Sequence, residues 1–184
     1  AKLVIQYSSI NIEMNDNDFF FRDLQFLDLS FNNLDNEIFN VVKRIKTLKT
    51  LNLSGNFIDV NIPELDSLEN LRELNLSHNR IESFYLDKTE ESSPDEMETN
   101  NWKKLLKTNI SDFYKKLSKL KKLKILNLSY NKIHFFDIDS DDIQQAHGFE
   151  NLETVDLSYN AIEDEIAILL IINIKSIKSI DLSG

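Results

Sequence analysis

The chain has 184 residues, 41% of them hydrophobic, and a formal net charge of −10 at pH 7. That charge disfavours direct contact with nucleic-acid phosphates and suits basic partners or simple solubility. With no Cys and only 3 Gly in the whole chain, disulfides, thiolate metal sites and glycine-rich phosphate loops are excluded.

One eleven-residue frame organises the chain. It appears as LQFLDLSFNNL (24–34), LKTLNLSGNFI (48–58), LRELNLSHNRI (71–81), LKILNLSYNKI (123–133) and LETVDLSYNAI (152–162), with a truncated copy, IKSIDLSG, at 177–184. The origins at 24, 48, 71, 123, 152 and 177 are separated by 24, 23, 52, 29 and 25 residues. Three residues before each origin stands another apolar side chain: Phe21, Ile45, Leu68, Leu120, Phe149 and Ile174. Residues 1–23 form a degenerate first copy in which Leu3, Ile5 and Ile10 match Leu51, Leu53 and Ile58, while Ser8 replaces the frame's Asn. A terminal unit tends to diverge in this way. The polar stretch 11–18 reads as a loop.

Between copies, residues 35–48 and 164–177 space apolar side chains three and four apart, as in Ile38, Val41, Val42 and Ile45. That spacing predicts helices, with Asp35 and Asp164 as N-caps and Glu37 and Glu165 in the first turns. The shorter return 61–68 has Pro63 where a first helical turn could begin. The 52-residue separation holds no further L-x-L followed by a turn Asn, so it reads as one long repeat with an insertion at about 84–120. Its first part, the Pro-containing acidic run 87–98, is an expected loop. Its second, 100–120, places Trp102, Leu106, Ile110, Phe113, Leu117 and Leu120 on one helical face, with lysines on the other. That helix either packs on the repeats or offers Trp102 and the lysines for docking.

Within the frame, L-x-L alternation points the leucines inward and the intervening residues outward, the period of a strand. The Asn that follows can satisfy backbone groups at the bend and in the next repeat, forming a ladder of Asn32, Asn56, Asn79, Asn131 and Asn160. The frame L-x-x-L-x-L-x-x-N-x-L resembles that of the leucine-rich-repeat family, and nearly all of 1–184 falls within about seven such repeats. The resemblance implies an α/β solenoid, a horseshoe with a concave parallel sheet and a helical or irregular convex side. Secreted members usually cap their ends with cystine clusters, so a Cys-free chain with no signal-like opening is expected inside the cell, in the cytoplasm. The longest apolar run, 166–172, is too short to cross a bilayer, and no membrane contact is expected.

No catalytic constellation stands out. His78, His134 and His147 are scattered, and the run 137–142 lacks the Gly and the Glu of a calcium loop. Serines at 30, 54, 77, 129, 158 and 183 recur in one register, which marks structure and not a single activated hydroxyl. Neither an enzyme, a cofactor nor a metal is expected. The outward positions carry the functional signal instead. One column reads Tyr7, Phe31, Gly55, His78, Tyr130, Tyr159 and Gly184, with Phe26 and Ile125 in another column. Between the leucines runs a polar-to-acidic stripe that includes Asp28 and Asp156. Aromatic anchors beside carboxylates suit recognition of a basic protein segment. Stacking of the same rings along the sheet is the alternative explanation. The chain reads as a scaffold or adaptor, or else as a structural subunit inside a larger assembly. Ser92 and Ser93 in the acidic run leave room for control by phosphorylation.

Overall fold

The computed structural model describes residues 1–7, 21–83, 112–134, 149–162 and 174–184. The expected acidic loop 87–98, most of the helix 100–120, the helix 164–177 as far as residue 173, the ladder-position Ser8 and the run 137–142 lie outside those residues. Each repeat contributes a strand of three residues to one parallel sheet: β1 (Lys2–Val4), β2 (Phe26–Asp28), β3 (Thr50–Asn52), β4 (Glu73–Asn75), β6 (Ile125–Asn127), β8 (Thr154–Asp156) and β9 (Ser179–Asp181). The sheet order is β1-β2-β3-β4-β6-β8-β9, so chain order is preserved. Leu27 pairs with Leu51, Leu51 with Leu74, Leu74 with Leu126, Leu126 with Val155 and Val155 with Ile180. The frame therefore fixes the register, because a one-residue slip would turn every inward leucine to solvent. A parallel pair, β5 (Glu82–Ser83) and β7 (Lys132–Ile133), forms a second sheet just beyond the bend. Despite the 52-residue separation, β4 bonds directly to β6.

Strands this short are not stable alone; burial of the row behind them holds them. Leu48, Leu51, Leu53, Ile58, Leu65, Leu71 and Leu76 are wholly enclosed, and one continuous apolar cluster runs from Leu24 to Leu157. The helix α1 (Ile38–Val42) adds Ile38, Phe39 and Val42 to it. Residues 112–118 are helical and bury Phe113, Tyr114 and Leu117.

Two local expectations are corrected. The N-cap of α1 is Glu37 and not Asp35. Asp35 Oδ1 instead accepts the Glu37 N–H at 2.9 Å, and Ile38 and Phe39 donate three residues back to Asp35 and Asn36. The return thus starts as tight turns, and the α-helix begins later. The segment 61–68 is irregular; Ile62, Leu65 and Leu68 fill the space that α1 fills in the preceding repeat. A return this short, with Pro63 lacking an N–H, reaches the next strand without completing a helix.

At the end of each strand the ladder Asn turns inward. Asn56 Nδ2 donates to Leu29 O, Leu53 O and Ser54 O at 3.0, 3.0 and 3.2 Å, while its Oδ1 accepts the Leu34 N–H at 3.0 Å. Asn79, Asn131 and Asn160 repeat both halves of this arrangement, tying each bend to the repeat before it. Asn32 donates likewise to Ile5 O and Leu29 O. Each amide satisfies backbone groups of two repeats at once, donating and accepting from one side chain, which explains why five copies keep Asn at this position.

Candidate functional site

The residue before each ladder Asn sits where the chain must bend sharply out of the sheet. At this position φ is +53° in Tyr7, +54° in Phe31, +66° in Gly55, +53° in His78, +53° in Tyr130, +54° in Tyr159 and +108° in Gly184. This is left-handed backbone, natural for glycine and costing an L-residue about 1 kcal/mol. The bend is held because these N–H groups still donate across the sheet, as Phe31 does to Ser54 O at 2.8 Å and His78 to Ser129 O at 3.0 Å. The side chains point away from the core and lie over one another.

Tyr7 stacks on Phe31 with ring centroids 5.1 Å apart and planes 6° from parallel. His78 stacks on Tyr130 at 4.1 Å, and Tyr130 on Tyr159 at 4.2 Å. Each ring leans toward the next repeat. Phe31 covers Gly55, where an added Cβ would come within 2.5 Å of its ring, and Tyr159 covers Gly184 in the same way, at 2.7 Å. The column is therefore two stacks, Tyr7–Phe31 and His78–Tyr130–Tyr159, separated at Gly55. Tyr7 remains 77% exposed and Tyr159 52%. Stacking along the array and outward presentation coexist in the same rings.

The stripe between the leucines behaves differently. Asp28 Oδ1 accepts from the Ser30 N–H and hydroxyl at 2.9 and 2.7 Å, and Oδ2 accepts from Gln6 at 2.9 Å. Burial alone would push this carboxyl up, but the bonds from Ser30, Gln6 and Asn52 together hold it below its ordinary value. At 8% exposed, Asp28 is not available to a partner, contrary to its expected place in the binding surface. The same closure recurs at Asn52, Asn75, Asn127, Asp156 and Asp181, whose side-chain oxygens accept the N–H two residues on. The recurring D-L-S and N-L-S strings are thus strand-end turns. Asp156 is half-buried, with one oxygen committed to Ser158.

Phe26 and Ile125 lie at the opposite end of the strands from the rings. Ile125 is exposed, and Phe26 is half-buried with Lys2 Nζ 4.4 Å above its ring. Two further features escaped sequence reasoning. Arg80 places its guanidinium 3.9 Å over the Phe57 ring, one repeat away in the same register. At the position after each origin, Glu153 lies between Lys124 and Lys178, 2.7 Å from each. Hydrogen bonds from Lys124 and then Lys178 lower the Glu153 carboxyl to about 2. The frame alone would have revealed both, had those positions been compared across repeats as the aromatic column was. The acidity of the chain also lies elsewhere than expected. The described repeats hold slightly more basic than acidic residues, so the net charge of −10 resides in the sequences of 8–20, 84–111, 135–148 and 163–173. Among the described residues, no three His, Cys, Asp or Glu side chains gather as metal ligands.

Three family descriptions match the chain: Leucine Rich repeats (2 copies) at 46–88, Leucine Rich repeat at 119–134 and 150–170, and Leucine Rich Repeat at 23–44. An adenylate cyclase of Schizosaccharomyces pombe is 38% identical over 144 residues, 77% of this chain. The chain spans 8% of the length of the curated relatives it matches. The fold is shared with the repeat protein of the TLR13–ssRNA13 complex, with a TM-score of 0.57, 23% identity and coverage of 88% of this chain and 19% of that one. It is shared too with the octameric complex of Latrophilin 3, Unc5D and FLRT2 (LRR), with a TM-score of 0.60, 15% identity and coverage of 97% and 46%.

Proposed function

Because the chain belongs to the leucine-rich-repeat family, whose members generally mediate protein–protein interactions through a typically non-catalytic fold, we propose that it is a scaffold or adaptor module that takes a protein partner on its concave face. The observation that carries this reading is the run of exposed rings at left-handed positions. Glycine would satisfy the backbone there without strain, yet five of seven repeats place a ring in the column and leave it open to solvent. Large, rigid, half-exposed aromatics are the side chains that supply most binding energy at protein interfaces. A protein assembly around FLRT2 lends support to a protein partner. The chain matches too small a part of the yeast adenylate cyclase for that protein's activity to carry over. The lack of Cys suits work inside the cell.

The test is affinity capture with the intact protein and with a variant carrying Phe31→Gly, Tyr130→Gly and Tyr159→Gly. Glycine suits the backbone at each position, so the variant is expected to fold. Loss of one soluble partner from the variant, reproduced with the purified pair, supports the proposal. Retention of a whole complex by both proteins would indicate a structural subunit instead, held through other surfaces.

A further inference from the structure

The acidic stripe that suggested a basic partner is bonded to its own serines at Asp28, Asp156 and Asp181. On the three central strands the stripe carries no carboxylate at all, because β3, β4 and β6 place Asn52, Asn75 and Asn127 there. What these strands present at their entry is of the opposite sign. The residue after each repeat origin is Lys49, Arg72 and Lys124. The Arg72 N–H donates to Lys49 O and the Lys124 N–H to Arg72 O, both at 2.8 Å, so the three follow one another across neighbouring strands. Arg72 and Lys124 are exposed and Lys49 is half-buried. Lys124 shares Glu153 with Lys178, whereas Lys49 and Arg72 make no ion pair among the described residues. We propose that this row anchors an acidic segment of the protein partner, whose carboxylates lie along Lys49, Arg72 and Lys124. The proposal rests on the concave-face reading and gives its partner a sign.

Two further observations favour an acidic segment. Asn75 and Asn127, three residues beyond Arg72 and Lys124, accept the N–H two residues on through Oδ1, and their Nδ2 groups meet no acceptor among the described residues. These half-buried amides are donors in the middle of the sheet, where a carboxylate oxygen can accept from them. The surrounding charge is the second. Residues 46–50, 69–73 and 121–125, which lead into the three strands, hold Lys46, Lys49, Arg72, Lys121, Lys122 and Lys124 against Glu69 and Glu73. Glu73, on the sheet face beside Arg72, already accepts from Thr50 Oγ1 at 3.4 Å. Such an excess of cations raises the local concentration of an anionic segment and speeds its arrival. A nucleic acid fits less well. Its affinity grows with the number of phosphates neutralised, and a short row in a chain of net charge −10 neutralises few.

The experiment titrates the uniformly 15N-labelled protein in low salt with acetyl-hexaglutamate-amide, and in parallel with acetyl-hexalysine-amide and hexauridylate, while backbone amide shifts are followed. Hexaglutamate is expected to shift Lys49, Arg72 and Lys124 with saturation in the millimolar range, and to bind about fivefold more weakly at physiological salt. Lys49→Gln combined with Arg72→Gln should weaken it about tenfold. Lys43→Gln combined with Lys132→Gln, the same loss of charge elsewhere, should not alter it. Arg72→Gln alone should fall between the two. Shifts that survive the Lys49 and Arg72 substitutions, or hexalysine binding at the row in place of hexaglutamate, would overturn the proposal. Hexauridylate bound more tightly than hexaglutamate would give the row to a nucleic acid and overturn it as well. Binding that appears only when residues 87–98 are replaced by a Gly-Ser linker would assign the row to the chain's own acidic run and not to a partner. Partner capture lost with Lys49→Gln and Arg72→Gln but indifferent to the ring substitutions would keep the row and remove the ring reading. Capture that depends on the rings and not on Lys49 and Arg72 would overturn the row alone.

Discussion

Phe31 and Asn32 are neighbours in sequence and share one bend, yet the two columns they belong to obey opposite rules. The Asn column is turned inward, and each amide bonds its own strand end and, through both its nitrogen and its oxygen, the repeat before it. The ring column is turned outward, held by stacking, and tolerates Tyr, Phe, His or Gly. The difference is one of satisfaction. A buried amide with fixed partners has no substitute, whereas a position defined only by left-handed φ accepts any side chain that can lie flat over its neighbour. Variation inside an otherwise invariant frame is where a repeat array can encode a partner.

The largest test of this contrast is Asn56→Ala. It leaves the Leu34 N–H and the Leu29, Leu53 and Ser54 carbonyls without their side-chain partner, and is expected to cost about 3 kcal/mol in urea unfolding. A loss below about 1 kcal/mol would mean that the ladder is not what joins the repeats. Gly55→Ala comes next. Its Cβ meets the Phe31 ring at 2.5 Å and its φ is +66°, so a loss of about 1–2 kcal/mol is expected, with the Phe31 ring displaced. Smaller still is the pair Tyr159→Ala and Tyr159→Gly. Alanine keeps the left-handed strain and gives up the stack, while glycine relieves the strain, so the glycine variant should be the more stable by about 1 kcal/mol. The reverse order would show that the stack, and not the backbone, governs this position.

The smallest effects are in acid. Asp28 is held below its ordinary value in the fold, so its contribution to stability is present above the unfolded pKa, about 3.9, and is lost as the pH falls through the folded value. Asp28→Asn, the residue that serves the same turn at Asn52, Asn75 and Asn127, should flatten the loss of thermal stability below about pH 4. Glu153 follows the same sign, its share fading between about 4.5, its unfolded value, and about 2. Its two ion pairs lie at the surface with exposed lysines, so Glu153→Gln should barely move the melting temperature at pH 7 in moderate salt.

Much of this was legible in the sequence because a repeat reports each position several times. Leucines recurring at fixed offsets gave the strands, the register and the buried row, and five Asn in phase disclosed the inward turn. Helix ends were harder to read. Asp35 sits in cap-like sequence, but tight turns follow it and α1 starts after Glu37. Pro63 lies in a return too short for a helix. The acidic stripe misled because sequence shows that a side chain faces outward but not that its oxygens fold back on the strand end, as those of Asp28 do. Two glycines among the rings were the available sign of a left-handed backbone, since that conformation is the common demand that Gly55 and Tyr130 meet.

By itself the amino-acid order determined the solenoid: inward leucines at a period of two, a turn residue with the right amide and a repeat length near the reach of one strand and one return. Only the tertiary structure decided which outward groups are open. Pairing of successive bends sets rings 4.1–5.1 Å apart and lays Phe31 over Gly55, while the same pairing closes the carboxylate stripe on its own serines. Spacing between repeats is a property of the stacked chain, and no single copy of the frame contains it.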